Sequence, residues 1–388
     1  MTSDPLNGEL APAPIAVADE VLDDLRDRLR RTRWPERETV DDWSQGIPLG
    51  YVQELCATWR DDYDWRVVES ELNGYQQLRF TGHGPTGDEL GIQVLHAPSP
   101  EPDAIPVVFT HGWPGSVVEF LDVIEPLRDP RAHGGDPADA VHVVCPTLPG
   151  YGFSDKPARH GWGVEHIADV WARLMTALGY DRFGAQGGDW GSTVAACLGA
   201  QNPERLLGIH LNMVSVGPGK DPAELTEAEQ TALASLAQFR EWDSAYSLQQ
   251  ATRPQTVGYG LVDSPAAQAA WIVEKFWSWS DNDGHPESTF TRKRLLDNVM
   301  HYWLPAAGAS AARLYWESLR VRRDVPVSVP VGASIFPKEI LRPSRRWAER
   351  RFSDLRYWHE PSKGGHFAAF EQPGIFVDEV RAAFRTMR

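Results

Sequence analysis

Cysteine is scarce. Cys56, Cys145 and Cys197 are the only three in 388 residues. They are odd in number, far apart and set in apolar runs. That excludes a disulfide framework and a zinc-binding spacing, and it fits a reducing compartment such as the cytoplasm. Positive charge is also short. Lys and Arg total 38 against 54 Asp and Glu, a net charge of −16. Such a chain has no electrostatic grip on a phosphate backbone or an anionic membrane surface, so neither nucleic acid nor membrane is an expected partner. No run of about 18 apolar residues is found, so no membrane span is expected. The stretch from Met1 to Val17 has neither the basic start nor the apolar core of a signal peptide. Internal repeats and low-complexity tracts are missing too.

What remains is the composition of a globular protein, 42% hydrophobic and 24% charged. The length suffices for one large domain with a substantial insertion, or for two domains. Tryptophan is abundant, with 16 residues. Large aromatic surfaces line apolar pockets, although most serve in core packing.

The chain is organised around Phe183-Gly184-Ala185-Gln186-Gly187-Gly188-Asp189-Trp190-Gly191-Ser192. A strand-like run stops at Gly187-Gly188, and an apolar helical run follows through Val194, Ala195, Cys197 and Leu198. Glycines two residues either side of Asp189 mark the tight strand-to-helix turn known as a nucleophile elbow. There a Cβ at the flanking positions would collide with neighbouring backbone. The usual residue at the centre is Ser; here it is Asp. With an unperturbed pKa near 4, a carboxylate attacks without losing a proton. It suits displacement at an sp³ carbon, which leaves a covalent ester. The plainer reading is an acidic N-cap in a glycine-rich loop.

The first 15 residues read as a flexible lead. Val21, Leu22, Leu25 and Leu29 then mark one face of a helix that Pro35 ends. A second helix is expected from Pro48 to Arg60, and strands at Tyr75–Thr81 and Leu90–His96, joined by the turn Gly82-His83-Gly84-Pro85-Thr86-Gly87-Asp88. Buried strands follow at Ile105–Thr110, Val141–Cys145 and Leu206–Asn212, alternating with helices. This pattern predicts an α/β fold, a mostly parallel sheet with helices on both faces. The alternation breaks near Val214. Residues 216–320 read as an inserted, aromatic-rich helical lid. Strands resume at Val325–Ala333 and Leu355–His359, with helices near Arg345–Arg351 and at 374–386. The expected organisation is an N-terminal extension (1–90), a first core part (91–215), the lid (216–320) and a second core part (321–388).

An Asp nucleophile needs partners. His366, after Gly364-Gly365 and the last strand, stands where the elbow architecture puts its base. The other histidines considered (His166, His210 and His301) lie inside expected elements and read as core or surface residues. Glu339, after the preceding strand, is the candidate orienting acid; Asp354 and Glu360 are rivals beside or on the last strand. Glu339 also reads as a first-turn helix carboxylate. Oxyanion donors would be the backbone N–H groups of Trp190 and of Trp113, in the loop His111-Gly112-Trp113-Pro114 after a buried strand. A substrate would lie against His111, Trp113 and Trp190.

Five stretches together resemble the microsomal-type branch of the epoxide hydrolases, in the α/β-hydrolase superfamily. They are Arg33-Trp34-Pro35, His111-Gly112-Trp113-Pro114-Gly115-Ser116, Gly187-Gly188-Asp189-Trp190-Gly191-Ser192, Phe336-Pro337-Lys338-Glu339, and the run from Gly364 to Pro373 containing His366. They span almost the whole chain. The resemblance implies an α/β-hydrolase fold with a helical cap and hydrolysis of an epoxide to a vicinal diol. It implies no metal or organic cofactor. It also implies that two lid tyrosines hold the epoxide oxygen, and the matching segments place them at Tyr246 and Tyr315. Periodicity alone reads both as packing. Mammalian microsomal members carry an N-terminal anchor not seen here, which points to a bacterial- or fungal-type soluble relative. A homodimer is conceivable from the N-terminal extension. Competing readings are a haloalkane or haloacid dehalogenase with the same Asp, His and acid, and a ligand-binding protein of this fold without chemistry.

Overall fold

A computed structural model describes residues 8–218, 224–321 and 325–388. Nine strands form one sheet: β1 (Leu10–Pro12), β2 (Gln76–His83), β3 (Glu89–Ala97), β4 (Ile105–Thr110), β5 (Val141–Pro146), β6 (Phe183–Gly187), β7 (Leu206–Leu211), β8 (Val331–Ser334) and β9 (Leu355–His359). Their order across the sheet is β1-β2-β3-β5-β4-β6-β7-β8-β9. The first three strands form an antiparallel edge, and the six strands β4 to β9 run parallel to one another. The sequence explains the division. β2 and β3 are joined by a short turn in which Gly87 takes φ +80°, whereas the later strands are separated by helices long enough for parallel crossovers. All five residues of β6 are buried, as are the last four of β4, so helices cover both faces there. The chain moves from β4 to β5 in one direction and returns to β6 on the other side of β4. That reversal opens a crevice at the carboxyl ends of β4 and β6.

Helices Asp19–Arg30, Leu49–Asp61 and Trp65–Asn73 precede β2. The first buries Leu22, Leu25 and Leu29, but Val21, expected on that face, is turned outward. The third escaped the sequence reading. It is short, with its start marked by the Asp64 side chain, which accepts from the Arg66 N–H. The flexible lead is also corrected in part. Leu10–Pro12 pair with Leu78–Phe80, while residues 1–7 of that expectation lie outside the described residues. The strand expected from Val325 narrows to β8, with one isolated bridge between Val327 and Phe352; Pro326 and Pro330 can donate nothing to a ladder.

Between β7 and β8 the described residues include six α-helices, from Glu227 to Ser318. Helix Arg292–Trp303 links this insertion to the rest. Toward the N-terminal helices, Tyr63 donates to Asp297 (2.7 Å) and Arg294 pairs with Glu71 (2.9 Å). Toward the sheet, Asn298 donates to the Pro114 carbonyl (2.7 Å) and accepts from Ser116 (2.8 Å), and Tyr302 donates to the Gly115 carbonyl (2.6 Å). The loop after β4 is thereby pinned from above.

Candidate active site

At the end of β6 the backbone turns so sharply that Asp189 takes φ +48°, one of two non-glycine residues with positive φ among the described residues. Such a conformation costs a side-chain-bearing residue about 1–2 kcal/mol. The neighbours explain the glycines. A Cβ at Gly187 would strike the Gly191 carbonyl, one at Gly191 the Thr110 carbonyl, and one at Gly112 the Asp189 side chain. The turn holds the Asp189 carboxylate above the crevice, at the start of helix Asp189–Gln201.

Each carboxylate oxygen has a partner. Oδ1 accepts the Trp113 backbone N–H at 2.9 Å, and Oδ2 lies 3.4 Å from His366 Nε2. The other ring nitrogen, Nδ1, is 2.8 Å from Glu339 Oε1, which also accepts the Ile340 N–H at 2.6 Å. His366 and Glu339 are both buried. The histidine loop is fastened to the insertion: the His366 N–H donates to the Trp279 carbonyl, and the Gly364 N–H to Asp281. The Trp279 ring sits edge-on to His366 with centroids 5.2 Å apart.

Tyr246 and Tyr315 come from helices Ala245–Thr252 and Gly308–Ser318. Tyr246 stacks on Trp113 at 4.8 Å, and Tyr315 stands edge-on to Trp190, also at 4.8 Å. With Asp189 and Trp190 both tyrosines line a cavity of about 330 Å³, whose apolar walls include Met213, Phe239, Leu319, Ile340 and Leu341. The Tyr315 hydroxyl faces that of Tyr246, and the Trp190 indole N–H is buried without a hydrogen-bond partner among the described residues.

A family model described as the epoxide hydrolase N terminus matches residues 10–120, and one described as the alpha/beta hydrolase fold matches residues 105–256. A protein of Stigmatella aurantiaca, provisionally named an epoxide hydrolase, is 52% identical over 98% of this chain and 86% of its own length. Epoxide hydrolase 1 of Sus scrofa is 31% identical, over 96% of this chain and 88% of its own. The solved structure of Aspergillus niger epoxide hydrolase is similar with a TM-score of 0.87 and 30% identity, covering 98% of this chain and 97% of that one. The chain belongs to the epoxide hydrolase family. Its fold is that of the α/β-hydrolases, and the family's reaction is hydrolysis of an epoxide to a diol.

In this family member the rival acids stand apart from the histidine. Asp354 pairs with Arg356, and Glu360 accepts from the Trp358 indole at 3.2 Å. The other histidines are engaged elsewhere: His166 with the His83 carbonyl, His210 with Ser334, and His301 with the Asp297 carbonyl. His111 lies beneath the site. Its Nε2 accepts the Leu148 N–H and its Nδ1 faces the Gly112 carbonyl, so both nitrogens brace loops. Burial pushes its pKa down to about 4, which keeps the ring neutral.

Burial disfavours a charge on His366, yet Glu339 and Asp189 outweigh it and hold its pKa well above the ordinary value. Burial, with the negative charge of Asp189 behind it, raises the phenols of Tyr246 and of Tyr315 well above theirs, although Tyr315's first neighbouring influence is Tyr246. Both therefore keep their protons. Two groups near the site went unnoticed in the sequence, Asn298 and Glu119; neither carries a motif, and each reads as an ordinary helical residue. Trp279 reads only as one of the aromatics of the lid. No helix among the described residues is long and apolar enough to cross a membrane.

Proposed function

We propose that this chain opens an epoxide through a covalent ester on Asp189. The observation that carries the reading is the double engagement of that carboxylate. One oxygen sits on the Trp113 N–H, and the other sits within reach of a histidine that is itself held by a buried carboxylate.

The substrate lies in the cavity between Asp189 and the two tyrosines. Its apolar walls favour an epoxide with an apolar substituent of modest size. Tyr246 and Tyr315, whose hydroxyls are close enough to interact with each other, both donate to the epoxide oxygen. Asp189 Oδ2 attacks a ring carbon, the strained C–O bond breaks, and the ring oxygen takes a proton from a tyrosine hydroxyl. The product is an alkyl ester whose carbonyl oxygen stays on the Trp113 N–H. Trp190, at the first turn of the helix, supplies a second N–H for the oxyanion of the next step.

Ester formation also changes His366. While Asp189 is charged it favours the imidazolium. The neutral ester removes that influence; the imidazolium proton passes to the tyrosinate left by ring opening, and the neutral ring can act as a base. Glu339 keeps Nε2 aimed at the ester, and Nε2 takes a proton from water. Hydroxide adds to the ester carbonyl, the tetrahedral species collapses, the imidazolium gives its proton to the departing diol oxygen, and the acid proton left on Asp189 passes to His366, which restores the carboxylate and the imidazolium.

The test is His366→Gln. The variant is expected to form the ester at close to the parent rate and to retain it, visible as a substrate-sized mass increase on the peptide holding Asp189. A variant that never shows the adduct contradicts the assignment. Asp189→Asn is expected to abolish both adduct and turnover. A second reading, a dehalogenase, draws on the unpartnered Trp190 indole N–H beside Asp189, which could hold a halide. Halide release from a haloalkane without diol formation from any epoxide would favour it.

A further inference from the structure

Asp189 faces two cavities, and it is the one residue that lines both. The larger holds the tyrosines. The smaller, about 20 Å³, is lined by the loop after β4 and by the loop that carries His366. Its size suits about one water molecule, which needs two to four polar partners. The polar side chains on its walls are Thr110, His111, Glu119, Asp189, Asn212 and His366.

Most of these are committed. Thr110 accepts from the Trp171 indole, and both nitrogens of His111 brace loops. The Asn212 carbonyl takes the Gln186 amide. Asp189 and His366 are engaged with one another. Glu119 differs. Its carboxyl has no ion pair and no side-chain hydrogen bond among the described residues; the near donor is the Ser116 backbone N–H. The carboxyl folds back over the loop, because a Cβ at Gly115 would land on Glu119 Oε1. It points to neither solvent cation nor helix neighbour.

We propose that Glu119 holds the hydrolytic water in this small cavity, against Asp189 and apart from the substrate. One water proton rests on a Glu119 oxygen while the other passes to His366 Nε2. The water oxygen forms its bond to the ester carbon, the ester C–O bond to the substrate breaks, and the imidazolium proton goes to the diol. Glu119 ends the cycle unchanged. Burial, with Asp189 adding and His366 opposing, pushes its carboxyl up to about 8. Near neutral pH it therefore keeps its proton, and it places no second negative charge beside the nucleophile during ring opening. The site separates its two reactants in space, with epoxide in one cavity beside Asp189 and water in the other.

This inference rests on the ester mechanism above, and rapid-quench kinetics separate the two. Ester formation and ester decay are followed by intact-protein mass in the parent, in Glu119→Leu and in Glu119→Gln. Losing the water's fixed position is expected to slow ester decay in Glu119→Leu by about 10²-fold, with ester formation within about twofold of the parent. Glu119→Gln, with the same shape and an amide oxygen to accept a water proton, is expected to recover most of the decay rate. Gly115→Ala, which displaces the carboxyl without removing it, is expected to slow decay in the same selective way. Decay at the parent rate in Glu119→Leu overturns the role of Glu119 alone. So does an equal loss of both steps in the Leu and Gln variants, which is what a purely structural residue would give. A parent that forms no ester overturns the mechanism itself.

Discussion

Asp189 holds a left-handed backbone conformation, a cost the fold accepts because the turn aims its carboxylate at the crevice between β4 and β6. Its glycine neighbours made this residue legible in the sequence. His366 was legible from its place after the last strand. Glu339 stood among rivals, and only the 2.8 Å contact with His366 sets it apart. The tyrosines were not legible from residues alone, because a buried phenol on a helix has the same pattern whether it packs or donates. Glu119 had no signal at all, since the polar contact it lacks is invisible in one dimension. At this scale the phenols give a sharp prediction. Tyr246→Phe combined with Tyr315→Phe is expected to slow ester formation by about 10²-fold or more, since both donors to the ring oxygen are gone. Ester decay should stay close to the parent's. A stopped-flow or quench measurement with an unchanged rate of ester formation would remove both from the chemistry.

Among the elements, helix Arg292–Trp303 has a reach its sequence does not announce. One side grips the N-terminal helices through Asp297 and Arg294; another holds the loop after β4 through Asn298 and Tyr302. The N-terminal segment thus braces the loop after β4 through an insertion more than 200 residues away in the chain. Asn298→Ala would leave the buried Ser116 hydroxyl and Pro114 carbonyl without their partner, at about 1–3 kcal/mol for each buried group left unsatisfied. A lower melting temperature is expected, together with slower ester formation, because Trp113 precedes the loosened carbonyl. Unchanged melting and kinetics would show that the loop needs no such tie. Elements with long apolar runs, such as β4 and β6, were readable within a residue or so. The helix Trp65–Asn73 and the strand Leu10–Pro12 were not: the first is short, and the second is too brief to show alternation and is defined only by its pairing with β2.

For the whole molecule, alternation of strand and helix was enough to expect a mostly parallel sheet, and the break near Val214 located the helical insertion. What the alternation does not encode is the strand order, which comes from long-range pairing. That order sets the candidate site: the reversal around β4 puts residues 113 and 189 side by side, and the loops after β8 and β9 bring residues 339 and 366 to them. The cavity that holds the tyrosines sets apolar side chains such as Met213, Phe239 and Leu341 beside polar ones, among them Thr193, Ser215 and Arg351. Family membership establishes that the reaction is epoxide hydrolysis, and the remaining question is the route. One measurement addresses it directly: a single turnover of racemic styrene oxide in H₂¹⁸O with enzyme in excess, followed by mass analysis of the diol and of the peptide containing Asp189. The ester route predicts ¹⁸O in the Asp189 carboxylate and a diol whose new oxygen is ¹⁶O from the enzyme. Diol carrying solvent ¹⁸O in that first turnover, with Asp189 unlabelled, would mean direct attack by water and would contradict the account.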